Sequence, residues 1–186
     1  MQNDSLDITE FDYMEITKNE LSPYAKDFFD RLKNDLNEKI YFFGSIQRSD
    51  YFMNSSDIDV DIFTENIDST ISKLQNFLNV KKNKFKKVIY RTIKTKKMVY
   101  GYKVEYQNLE NNFFTEISIF DKKYKKDVLI DHSFKINLPF YITFFLIVLK
   151  FFYYKLHIVS DDIYKYLKNY IIAILVDGRD KEHVSI

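Results

Sequence analysis

Between Ser56 and Phe63 the chain reads SDIDVDIF, and the strict alternation of carboxylates with aliphatic side chains points to a strand. Successive side chains on a strand face opposite ways, so Ile58, Val60 and Ile62 enter a core while Asp57, Asp59 and Asp61 share the other face. Carboxylates two residues apart have Cα atoms roughly 7 Å apart. Their side chains can lean over one cation, or over a pair about 3.5–4 Å apart. Without a cation they only repel one another. Upstream, Tyr41 to Phe43 reads as a short buried strand running into Gly44-Ser45.

The flanking chain supplies a scaffold. Residues 1–21 form an acidic arm with scattered apolar positions such as Phe11 and Met14. Ser22-Pro23 is a helix start, with Ala25, Phe28, Phe29, Leu32 and Leu36 at helical spacing after it. Asn66 and Asp68 can cap a second helix in which Ile71, Leu74, Phe77 and Leu78 line one side. From Lys81 to Lys103 there are ten Lys or Arg and no acid, interleaved with strand-forming aromatics. Gly101 inside that stretch predicts a bulge or a close backbone approach. Asn108 to Asn112 is a turn, and Phe113 to Phe120 a strand that carries Glu116 between apolar residues.

Beyond Lys126 the pattern turns helical. The apolar segment that follows Pro139 stops about a dozen residues later at Lys150, short of the roughly 20 a bilayer needs, so a buried helix is expected and no membrane span. A last helix runs from about Asp161 to Val176, with Gly178 as its cap. The expected organisation is an α+β fold: arm 1–21, a core over 22–131, and a C-terminal helical part over 132–186 packed on it.

Composition sets bounds. A formal net charge of +1 says nothing about partners. With no Cys there is no disulfide or zinc–thiolate site, and the three His lack ligand spacing. The acidic start has no basic-then-apolar lead, so an intracellular, cytoplasmic protein is expected.

Gly44-Ser45, ten residues, Ser56-Asp57-Ile58-Asp59-Val60, then Phe114-Thr115-Glu116-Ile117 resembles the signature of the polymerase β-type nucleotidyltransferase superfamily. That group includes poly(A) polymerases, CCA-adding enzymes and the minimal nucleotidyltransferases. The resemblance implies a mixed sheet flanked by helices. It also implies transfer of a nucleoside monophosphate from an NTP to a hydroxyl, with Mg²⁺ or Mn²⁺ as cofactor. By the same resemblance Asp57, Asp59 and Glu116 are the catalytic and metal-binding acids, and Gly44 and Ser45 grip the β- and γ-phosphates. Asp61 and Glu105 are the rival ligands.

Arg48 can help neutralise the triphosphate, or can be an ordinary surface cation. The basic hairpin, with Lys94, Lys96 and Lys97 as contacts, suits a nucleic-acid backbone, so the leading acceptor is a nucleic-acid 3′ end, RNA before DNA. A protein or small-molecule acceptor is the same-class alternative. An inactive relative serving as a binding subunit is the other.

Overall fold

The computed structural model describes residues 9–176 and 184–185. Helix α1 (Pro23–Leu36) starts where Ser22 accepts a hydrogen bond from the Ala25 amide, and it ends at Asn37 in the left-handed region. Strand β1 (Ile40–Phe43) follows, then a 3₁₀ turn (Gly44–Gln47), an irregular loop, and strand β2 (Ile58–Thr64). Asn66 caps α2 (Ile67–Leu78) through the Ser69 amide. Strands β3 (Lys86–Arg91) and β4 (Met98–Asn108) form a hairpin, and a turn in which Asn108 Oδ1 holds the Asn111 amide leads to β5 (Phe113–Asp121). Helices α3 (Lys125–Ile136), α4 (Phe140–Tyr154) and α5 (Asp161–Val176) complete the described body, with a two-residue strand β6 (Val184–Ser185) against β3.

The sheet order is β1-β2-β5-β4-β3-β6, and β2 and β5 pair in parallel while the other pairs are antiparallel. One face carries Ile58, Val60 and Ile62 beside Ile117, Ile119 and Val104, all buried under α1 and α2. Each such aliphatic side chain contributes about 1.5–3 kcal/mol on burial, so this layer fixes the strand register. The opposite face is divided along its length. Its lower end is an aromatic layer of Tyr41, Phe63 and Phe120 closed by Val128 and Leu129 of α3, with Phe11 and Met14 from a 3₁₀ segment (Thr9–Glu15). Its upper end holds the acids.

Gly101 is the close approach that the sequence marks: a side chain there would run into the Phe120 ring and come within 2.6 Å of the Ile119 carbonyl. The expected Gly178 cap lies outside the described residues.

The expectation of a buried α4 is overturned. Ile142, Leu146 and Leu149 are buried, but Phe140 is 85% exposed, and Phe144 and Phe145 lie more than half in solvent. The reason is geometric, since α4 and α5 meet along a narrow apolar seam of Ile142, Leu146 and Ile172, continued by a Tyr153–Tyr164 ring stack. An all-apolar helix has more greasy circumference than one partner can cover. No single described helix is long and apolar enough to cross a membrane.

Candidate active site

Asp59 is set by two ladders at once. It lies opposite Phe43 on β1 and opposite Glu116 on β5, and Glu116 in turn lies opposite Glu105 on β4. Directly opposed residues share a face, so the register brings Asp59, Glu116 and Glu105 into one row across three strands. Asp57 precedes β2 and is exposed at the mouth of this row.

Burial, with the Glu116 charge, pushes the Asp59 carboxyl up to about 7; Lys168 of α5 opposes the shift, Asp57 adds to it, and Arg48 opposes it more weakly. A carboxyl that keeps its proton near neutrality beside two further carboxylates is a centre short of positive charge. An oxygen-only set of this kind suits a hard divalent cation. Among the described residues no three acidic or imidazole groups already converge into a metal cage. Instead Lys103 Nζ holds Glu116 Oε2 at 2.7 Å, and it stands 3.9 Å from Glu105 Oε1. The donor chemistry fits such an ion, with Lys103 as the present counter-charge.

Gly44 packs directly on this acid. Its φ is +71°, and a side chain at its Cβ position would collide with Asp59 Oδ2. Glycine is needed there on both counts. Ser45, next to it, is buried in the 3₁₀ turn against which α3 packs.

Three sequence expectations change here. Arg48 is not an open cation. It is 5% exposed, its Nε and Nη2 fork onto Asp50 at 2.7 and 3.1 Å, and its Nη1 donates to the Lys135 carbonyl. Asp50 is fully buried; burial alone would raise its carboxyl, but Arg48 and then Lys150 hold it below the usual carboxylate range. The acid two residues beyond Arg48 was the available signal.

Asp61 is not a spare member of the acidic face. It points the same way as Asp59 but lies deeper, where α3 covers the strand, and its Oδ2 meets His132 Nε2 at 2.6 Å. The His132 ring stacks on Phe43 with centroids 3.8 Å apart. This imidazole had no signal in the sequence, because its partner is 71 residues away. Removing one partner of a buried pair typically costs about 3–5 kcal/mol. Asp61→Ala is therefore expected to lower the thermal midpoint by roughly 6–20 °C. A midpoint equal to that of wild type in a melting curve would show that the pair contributes nothing.

The basic hairpin is partly occupied as well. Its tip docks on α3: the Ile93 and Lys94 amides donate to the buried Asp131 carboxylate, and Lys97 Nζ pairs with Asp127 at 2.9 Å. The Lys94 ammonium sits 3.9 Å from the centroid of the Phe134 ring, and Lys96 occupies a positive-φ turn position. Lys94 and Lys97 are thus engaged with α3 although their side chains stay exposed, whereas Lys82, Lys84 and Lys86 are exposed about the start of β3 without such a contact to α3.

The family model of the nucleotidyltransferase domain matches residues 23–133, from the first residue of α1 into α3. No curated protein and no solved structure matches the chain. The matched stretch is more than half of the chain and contains Gly44, both acids at the mouth and head of β2, and Glu116. The protein belongs to the nucleotidyltransferase domain family.

Proposed function

We propose that the protein transfers a nucleoside monophosphate from an NTP to a hydroxyl, with release of pyrophosphate, at the row formed by Asp59 and Glu116. The observation that carries this reading is the β2–β5 register, which opposes those two acids directly, with Gly44 packed on the first and Asp57 just before it. Asp57, Asp59 and Glu116 would hold Mg²⁺ or Mn²⁺. Such ions, when bound, neutralise the triphosphate and favour the ionised form of the attacking hydroxyl.

The chain's own groups do the positioning. Gly44 and Ser45 line the approach of the β- and γ-phosphates, where a backbone without a side chain permits close contact. Arg48 being committed to Asp50, the cations whose charge reaches the acids include Lys103, the half-buried Lys168 and Lys135 of α3. Lys103 leaves Glu116 as the hydroxyl enters, which returns the carboxylate to the reaction. The hydroxyl oxygen forms a bond to the α-phosphorus, the bond from that phosphorus to the β-phosphate oxygen breaks, and the hydroxyl proton passes toward Glu116.

A nucleic-acid 3′ end, RNA in preference to DNA, is the leading acceptor, on the exposed Lys82, Lys84 and Lys86 beside the site's sheet edge. The docked hairpin tip favours a second reading, a protein or small-molecule acceptor, since Lys94 and Lys97 already have partners on α3. Incorporation of α-labelled NTP into single-stranded RNA, DNA and protein separates the two. For RNA, binding should weaken with salt at a slope of about −0.7 per phosphate neutralised. Reversing Lys82, Lys84 and Lys86 to Glu should flatten it. Robust label on a protein with salt-insensitive RNA binding would establish the second reading.

A further inference from the structure

Between the phosphate-side turn and Asp57 runs a loop, residues 48–57, that belongs to no helix or strand. Its conformation decides where the exposed Asp57 stands, yet the ladders that fix Asp59 do not reach it. Something else must hold it.

The holder is on α4. Lys150 is 2% exposed, in the middle of a helix otherwise made of apolar and aromatic residues and one threonine. Its ammonium donates to the Asp50 carbonyl at 2.8 Å and to Ser56 Oγ at 3.3 Å, and it pairs with Asp50 Oδ2 at 3.0 Å. An ammonium has three donors, and here all three have acceptors on this one loop. The two residues it joins stand at opposite ends of the loop, Asp50 just after Arg48 and Ser56 just before Asp57. Ser56 Oγ also accepts from the Phe52 amide, and the Ser55 and Ser56 amides donate to the Phe52 carbonyl at 3.1 and 2.8 Å. Four residues on from Lys150, Tyr154 interacts with the same Ser56 hydroxyl.

We propose that Lys150 is a positioning residue for Asp57: it staples both ends of the Asp50–Ser56 loop and so makes the C-terminal helices part of the active site. This rests on the reading of Asp57 as a metal-holding acid. It also accounts for the charge in α4. A lysine that merely neutralised Asp50 would be redundant, because Arg48 already forks onto that carboxylate. The link from Asp50 to Ser56 is what Arg48 does not supply.

The experiment compares Lys150→Met, Ser56→Ala and their double variant, with Leu146→Ala as a control that loosens the α4–α5 seam without touching the loop. Two quantities are read: hydrogen-exchange rates of the Ser55 and Ser56 amides without metal, and Mn²⁺ affinity by electron paramagnetic resonance without NTP. Loss of a charge-assisted hydrogen bond corresponds to about tenfold or more in each. Lys150→Met should therefore exchange those amides about tenfold faster and bind Mn²⁺ about tenfold more weakly. The double variant should be no worse than the more affected single one, as expected of two ends of one contact.

Leu146→Ala should lower the melting midpoint and leave both quantities near wild type. Should Lys150→Met fail to fold, Lys150→Gln takes its place, since a neutral amide has neither the charge nor the third donor needed to join Asp50 and Ser56 as the ammonium does. Wild-type exchange and Mn²⁺ affinity in the Lys150 variant, or equal losses in Leu146→Ala, overturn the proposal. Faster exchange in Lys150→Met with no Mn²⁺ binding in wild type would retain the staple and instead overturn the metal role of Asp57.

Discussion

Asp59→Asn is expected to abolish nucleotide transfer and, at pH 8 without divalent ions, to raise the melting midpoint. Both effects come from the same carboxyl. In the folded protein burial and the Glu116 charge push it up to about 7, from an ordinary value of 3.8. Between those two values the unfolded chain has released a proton that the folded chain still holds, so stability falls as pH rises. Above about 8 both forms are ionised and the full penalty is present. At about 1.4 kcal/mol per unit it is on the order of 4 kcal/mol, or roughly 8–16 °C in a protein of this size. The neutral amide escapes it. Near pH 4 the folded carboxyl is protonated in wild type and the variant's advantage should largely vanish. Added Mg²⁺ should raise the wild-type midpoint and leave that of Asp59→Asn unmoved. A variant that melts like wild type at pH 8 would mean that the acidic row is not strained without metal.

That strain was legible in the sequence, because the alternation over Ser56 to Phe63 assigns faces without any knowledge of neighbours. The caps at Ser22 and Asn66 were legible for the same reason: a side chain that bonds an amide three residues on is a local fact. The register that opposes Asp59 to Glu116 follows once both strands carry their aliphatic residues on one face. Depth was not legible. Asp57, Asp59 and Asp61 have the same pattern, but one lies before the strand in solvent, one is half-buried, and one sits under α3 against His132. Alternation tells which way a side chain points and not what another element lays over it.

Apolarity misled for α4, where hydrophobic character suggested burial but α5 and the 48–57 loop together cover only part of the helix. The informative residue there was the exception, Lys150, since a lone cation inside an apolar run must find acceptors elsewhere in the chain. Arg48 is a related case. Its own charge left a triphosphate ligand and an ordinary surface cation equally open, whereas Asp50 two residues on supplies a buried partner.

Glu116→Gln is expected to cut turnover by roughly 10²–10⁴-fold, the range for a group acting on a proton in flight, while NTP binding in Mg²⁺ stays close to wild type. Glu105→Gln should be active. The register alone does not separate these acids, because they are directly opposed and face the same way. Their surroundings do. Glu116 is on the central strand beside Asp59, its side chain is 31% exposed, and Lys103 holds it at 2.7 Å. Glu105 is one strand further out, its side chain is 67% exposed, and its contact with the same lysine is 3.9 Å. Water screens the outer acid, so its charge is felt weakly at the row.

Glu116→Asp keeps the charge but withdraws it by about a bond length, and a misplacement near 1 Å can cost about 10²-fold. It should therefore fall between wild type and Glu116→Gln. Single-turnover kinetics with saturating NTP give the test, because they isolate the chemical step from binding. An inactive Glu105→Gln beside an active Glu116→Gln would move the third acid to β4 and place the reacting hydroxyl one strand further from Asp59.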